Sequence, residues 1–184
     1  MLSALTNYIN DNFGSKKGAL NYVKFKMLLL LGHYKKYQKI DFAKVDRLIF
    51  ICSGNICRSC FAEYVAKHFG KRAESFGLHC RGGDPADPRA RDYAKSVGLD
   101  MTNHITRNIK DYQPGESDLL IVMEPKHIEG LPAELQAKCQ LTIATLWADP
   151  TSAYLHDPYS SSLNFFKQCE SRLWQATREL TENV

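Results

Sequence analysis

Short apolar runs alternate with amphipathic stretches over most of this chain. Arg47–Cys52 (RLIFIC) is β-branched and apolar almost throughout, as expected for a strand buried on both faces. Residues 59–69 then place Phe61, Ala62, Val65, Ala66 and Phe69 at helical spacing, and Gly70 follows as a stop. A second strand is predicted over 73–77, and a helix over 89–97 that Pro88 opens and Gly98 ends. Residues 118–123 (DLLIVM) form another buried strand. Pro125 opens a helix that Gly130 and Pro132 interrupt, 139–143 is the last strand, and 163–180 a long terminal helix. The order β-α-β-α-β-α-β-α predicts an α/β fold: a four-stranded parallel sheet with helices on both faces. In such sheets ligands bind beyond the carboxyl ends of the strands, so the loop after RLIFIC is the first place to look.

Before this body lies a different segment. Leu20, Val23, Met27, Leu30, Leu31 and Tyr34 recur at threes and fours, as on one face of a helix, while Lys16, Lys17, Lys24, Lys26, Lys35, Lys36 and Lys39 fill much of the rest. Residues 1–46 hold eight lysines against three aspartates, and the remainder sixteen basic against seventeen acidic residues. The net +4 therefore belongs to an N-terminal extension, and the body lacks the basic stripe of a nucleic-acid binder. The chain divides into a basic, largely helical extension (1–45) and a body (46–184). The extension reads either as a helical hairpin packed on the body, or as a basic amphipathic helix touching anionic lipid or an acidic partner.

Among 184 residues, 44% are apolar, which excludes a disordered chain. Six cysteines, at 52, 57, 60, 80, 139 and 169, are too few and too clustered for a disulfide framework and point to a reducing compartment. The longest apolar run, 27–31, is far short of the roughly 20 residues of a membrane span, and the first ten residues carry no Lys or Arg to begin a secretory signal. A cytoplasmic location is expected.

The loop Cys52-Ser53-Gly54-Asn55-Ile56-Cys57-Arg58-Ser59 joins a buried strand to a helix. A Cys and an Arg six apart around a Gly-containing turn can wrap a tetrahedral oxyanion. Backbone N–H groups point inward, the helix N-terminus adds partial positive charge, and Arg58 offers a planar fork to two oxygens. The same field favours the thiolate of Cys52. A thiolate held against a bound phosphate is aimed at phosphorus, so the loop predicts a covalent cysteinyl-phosphate. It is not a nucleotide-binding P-loop, lacking the second Gly and the Lys. Zinc on Cys52, Cys57, Cys60 and His68 is disfavoured by the spacing and by the neighbouring Arg. No metal and no cofactor is expected.

The stretch IFICSGNICRS resembles the signature loop of the low-molecular-weight protein tyrosine phosphatases almost residue for residue, and the resemblance spans about 46–184. It implies a doubly wound, flavodoxin-like sheet, with Cys52 as nucleophile and Arg58 as ligand of the phosphate and the transition state. Asn55 and Ser59 would shape the loop, Ser59 also easing departure of the thiolate, while Ser75 and His104 hold Asn55 in a strained turn. The general acid of the family lies in an Asp-Pro-Tyr before the last helix, which Asp157-Pro158-Tyr159 matches. Asp157, expected to be buried beside Tyr159, would protonate the leaving phenolate and later activate water, giving a bell-shaped pH–rate profile favouring mildly acidic pH. Asp149-Pro150 reads as a turn, and Asp87 as a helix cap.

Two departures stand out. Cys60 replaces the Pro usual after the loop, and 76–81 lacks the aromatic that often walls the phenol pocket. Tyr159 is then the remaining wall, with His79 or Arg81 opposite. Cys57 could form a protective disulfide with Cys52. The implied substrate is phosphotyrosine on protein, and bacterial members often oppose tyrosine kinases of polysaccharide export. Arsenate reductase on the same fold is the alternative enzyme; it needs resolving thiols, and no paired Cys follows residue 81. A non-catalytic phosphotyrosine- or anion-binding module is the alternative without catalysis.

Overall fold

A computed structural model describes residues 2–184, with side chains from residue 4 onward. Four strands, β1 (Arg47–Cys52), β2 (Arg72–Gly77), β3 (Asp118–Val122) and β4 (Gln140–Ile143), form one sheet in the order β2-β1-β3-β4, and every pairing is parallel. From β1 the chain crosses first to β2 on one side and then to β3 on the other. The connections therefore diverge above the carboxyl end of β1, and a crevice opens there.

The apolar runs of β1 and β3 are buried on both faces, as their lack of alternation requires. Leu48, Phe50, Leu119 and Ile121 pack under α3 (Arg58–His68), α4 (Pro88–Ser96) and α7 (Leu163–Asn183). Ile49, Ile51, Leu120 and Val122 face the other way, toward Ile128, Leu131 and Leu135. Those residues belong to or adjoin α5 (Pro125–Glu129) and α6 (Ala133–Lys138), the two short helices into which Gly130 and Pro132 divide this stretch.

Residues before the sheet fold as two helices, α1 (Leu2–Phe13) and α2 (Lys16–Leu30), joined at Gly14 and capped by Ser15, whose Oγ accepts from the Gly18 amide. The apolar face that the spacing picks out is turned outward: Leu20, Val23, Met27, Leu30 and Leu31 are each more than half exposed, and of that set only Tyr34 is buried. Gly18, Phe25, Leu28 and Leu29 meet the body instead. α2 carries apolar residues on two opposite faces, and periodicity does not say which one the body covers. No helix among the described residues is long and apolar enough to cross a membrane.

Candidate active site

The loop between β1 and α3 lies at the switch point. Cys52 Sγ is 3.0 Å from Ser59 Oγ and accepts from the Asn55 amide at 3.2 Å. Asn55 is the one non-glycine residue with positive φ (+56°) among the described residues. That turn is held from every side. The Asn55 side-chain amide donates to Ser59 Oγ (2.9 Å) and to Ser75 Oγ (2.7 Å), its Oδ1 accepts from the Arg107 amide, and its carbonyl accepts from His104 Nε2 (2.9 Å). Because Ser59 receives the Asn55 amide, its own hydroxyl proton is free to point at the sulfur. Ser75 passes its proton on to the buried carboxylate of Glu63 at 2.5 Å. Burial lowers the His104 pKa, which favours the neutral ring, and the Asn55 carbonyl, able only to accept, puts the proton on Nε2.

Arg58 is among the most deeply buried side chains in the molecule, and its charge is shared three ways. One terminal nitrogen donates to Glu124 Oε1 (3.0 Å) and the Leu155 carbonyl (2.9 Å), and the other forms an ion pair with Asp157 Oδ2 at 2.9 Å. Burial opposes the charge, but Asp157, Cys52 and Glu124 outweigh it and hold the guanidinium firmly protonated. The Asp157 carboxylate is less buried than expected, 37% exposed, and lies against Arg58. It also accepts from the Tyr159 amide at 3.2 Å, the turn that Asp-Pro-Tyr prescribes.

A cavity of about 200 Å³ is lined by Cys52, Ser53, Gly54, Ile56, Cys57, Arg58, His79, Asp157 and Tyr159. Tyr159, 58% exposed, stands at its mouth. Of the two candidates opposite Tyr159, His79 lines the cavity and Arg81 does not. The His79 amide also bonds the Ser53 carbonyl at 2.9 Å. All six cysteines are free. Burial pushes the Cys57 and Cys60 thiols up, and Cys60 donates to the Cys57 carbonyl at 3.0 Å. Asp87 caps α4 as expected, and Arg89 forks onto it while also bonding the Tyr159 carbonyl, tying the Asp157 segment to α4.

Two residues at the site were not singled out from the sequence. Glu124, two residues beyond the end of β3, is the buried counter-charge of Arg58. His127, on the first turn of α5, lies 3.0 Å from Ser53 Oγ; burial, with Arg58 and Lys126 nearby, takes its pKa down to about 2, so the ring is neutral. Both follow the carboxyl end of the strand beside β1, where the fold rule itself directs attention.

A Cys-x5-Arg loop wrapped over the switch point of a small parallel sheet marks the class of cysteine-dependent phosphatases. The family model for the low molecular weight phosphotyrosine protein phosphatases matches residues 47–184, and the chain belongs to this family. The low molecular weight protein-tyrosine-phosphatase Wzb of Salmonella typhi is 29% identical over 136 residues, spanning 73% of this chain and 91% of its own. The crystal structure of the Erwinia amylovora tyrosine phosphatase AmsI superposes with a TM-score of 0.66 at 26% identity, covering 76% of this chain and 93% of that one. Wzb of Vibrio vulnificus in complex with benzylphosphonate gives the same TM-score and identity, over 76% and 99%. The alternatives of an arsenate reductase and a non-catalytic module are not favoured by these likenesses.

Proposed function

We propose that the protein hydrolyses phosphotyrosine on a protein substrate in two steps, with Cys52 as nucleophile, Arg58 as phosphate ligand and Asp157 as general acid and then base. The observation that carries this reading is that Cys52, Arg58, Asp157 and Tyr159, drawn from positions 52 to 159, line one cavity. The Cys52 sulfur attacks phosphorus, and the ester oxygen leaves with the proton of Asp157. Arg58 and the amides of Ser53, Gly54, Ile56 and Cys57 receive the equatorial oxygens. In the second step Asp157 takes a proton from water, which attacks the cysteinyl-phosphate, and the Ser59 hydroxyl stabilises the departing thiolate. An entering phosphate dianion competes with Asp157 for Arg58 and thereby releases the carboxyl toward the leaving oxygen. Ser75, His104 and His127 act at one remove, by fixing Asn55 and Ser53.

Benzylphosphonate, a benzyl group on a phosphonate, is bound by the Vibrio relative, and Tyr159 and His79 on the cavity of this chain suit an aromatic ester. Tyrosine kinases of polysaccharide export are candidate substrates. Substrate trapping tests the reading: Cys52→Ser should lose aryl phosphatase activity yet retain phosphotyrosine proteins from a lysate. Retained activity in that variant would remove Cys52 from the mechanism.

A second reading concerns the extension as an appended unit, and the outward face of α2 favours it. Residues 12–40 carry seven lysines and no carboxylate, and they flank the exposed stripe Leu20, Val23, Met27, Leu30 and Leu31. An apolar stripe rimmed by lysine suits an anionic lipid surface. The full chain should sediment with phosphatidylserine vesicles and not with phosphatidylcholine alone, and Leu30→Glu with Leu31→Glu should abolish it. Equal recovery with both lipids, or none with either, would refute a lipid role.

A further inference from the structure

The family match begins at residue 47, yet residues before it reach the segment that carries Asp157. Between 154 and 157 the chain alternates in what it faces. The Leu155 carbonyl and the Asp157 carboxylate meet Arg58. Tyr154 and His156 turn the other way, onto the α1–α2 hairpin.

There the contacts form a closed chain. The Asn21 side-chain amide donates to the Tyr154 hydroxyl at 3.2 Å, and that hydroxyl lies 2.6 Å from His156 Nδ1. His156 Nε2 is 3.1 Å from Ser15 Oγ, the same oxygen that caps α2. Either neutral tautomer satisfies it: Tyr154 O–H donates to Nδ1 and Nε2–H to Ser15, or Nδ1–H donates to the Tyr154 oxygen and Ser15 O–H to Nε2. Burial raises the Tyr154 pKa to about 12 and lowers that of His156, which keeps both neutral as this pattern needs. The Tyr154 ring stacks on Phe25 with centroids 5.0 Å apart.

The hairpin's backbone is cut to fit the imidazole. A Cβ on Gly14 (φ +75°) would come within 2.6 Å of His156, and one on Gly18 within 3.0 Å. On the far side of the acid, Ser162 Oγ donates to Asp11 at 2.7 Å and Gln168 bonds the Asp11 carbonyl. Behind His156, a cavity of about 690 Å³ is lined partly by Phe13, Tyr22, Phe165 and Trp174. The body holds the same segment through the Leu155 amide on the Met123 carbonyl and Arg58 on the Leu155 carbonyl, and the hairpin adds its contacts from the other side.

We infer that the N-terminal hairpin is a clasp on the Asp157 segment, with Ser15, Asn21, Tyr154 and His156 as positioning residues that set where the general acid sits. This rests on the reading of Asp157 as the acid. A displaced acid lowers kcat/KM, which reports formation of the cysteinyl-phosphate and not its hydrolysis, only where the leaving group needs its proton, whereas lost stability would cost all substrates alike.

The test compares kcat/KM for phenyl phosphate, a poor leaving group, with that for 2,4-dinitrophenyl phosphate, a good one. Tyr154→Phe keeps the stacked ring and removes the shared hydroxyl; Ser15→Ala removes the contact from the hairpin side. Each should slow phenyl phosphate about ten-fold while dinitrophenyl phosphate stays within about two-fold. Ser15→Thr should restore the rate. In an Asp157→Asn background the same changes should add no further selective loss, because the group they position is gone. Equal losses on both esters, or full additivity with Asp157→Asn, would overturn the clasp. If Asp157→Asn alone shows no leaving-group dependence, the acid assignment fails, and the clasp falls with it.

Discussion

Glu170 is the most exposed to test of the buried charges, because nothing in the proposed mechanism uses it. It lies in α7 with no measurable solvent exposure, and neither carboxyl oxygen has a hydrogen-bond partner among the described residues. Burial raises its pKa well above the ordinary carboxylate value; Arg58 pulls it down and Asp87 up, and burial prevails. The folded protein therefore keeps a proton on Glu170 to a higher pH than the unfolded chain, whose glutamate pKa is near 4.3. The unfolded state binds fewer protons, so stability falls as pH rises above the unfolded value and goes on falling until the folded group itself ionises.

Within that window the folding equilibrium shifts by up to about ten-fold per pH unit. Glu170→Met replaces the side chain by an apolar one of similar length and abolishes the linkage. Urea unfolding of both proteins at pH 5, 6, 7 and 8 should show the variant gaining on the wild type by up to about ten-fold in equilibrium constant per pH unit, the gain levelling off where the folded Glu170 ionises. Any packing difference adds a constant offset and leaves that slope untouched. Two curves that stay parallel across the range would refute a protonated, buried Glu170.

Other consequences follow from the loop and its supports. Asn55→Ala deprives Ser59, Ser75 and the Arg107 amide of a partner and leaves φ +56° without the side-chain hydrogen bonds that hold Asn there; it should cost about 3 kcal/mol in urea unfolding and lower kcat/KM for every aryl phosphate. Glu124→Ala removes the buried partner of Arg58 and should destabilise by about 3 kcal/mol, the low end for a broken buried pair because Asp157 and the Leu155 carbonyl remain. Inorganic phosphate, supplying a new anion to Arg58, should then raise the melting temperature of that variant more than that of the wild type. Arg58→Lys cannot span Glu124, Leu155 and Asp157 with one point charge, and kcat/KM should fall at least about 100-fold.

Much of this site was legible along the chain because its central part is contiguous. Residues 52–59 contain the sulfur, the turn, the guanidinium and the helix start, and a buried strand before them and an amphipathic helix after them fix the direction in which they point. Ser75 and His104 were reachable through the family resemblance, and both meet Asn55 as that resemblance implies. Glu124 and His127 carry no local pattern of their own. A glutamate before a proline reads as a turn, and only the pairing of β3 with β1 brings it under Arg58. The exposure of Asp157 was misjudged for a related reason: its surroundings are set by Arg58 and by the route of the chain past the hairpin, not by Tyr159 beside it.

What the amino-acid sequence determines by itself is whatever depends on neighbours along the chain: which runs can be strands buried on both faces, where helices start and stop, and the loop chemistry of Cys52 and Arg58. Hydrophobic periodicity and backbone sterics act over a few residues, and they are complete before the chain closes on itself. Only the tertiary structure decided which of the two apolar faces of α2 is covered, which carboxylate balances the buried guanidinium, and that His156 reaches back 141 residues to Ser15. Those outcomes depend on the shape and charge of surfaces that exist once the sheet has formed, and burial of a charge or a ring is settled by what lies opposite it in space.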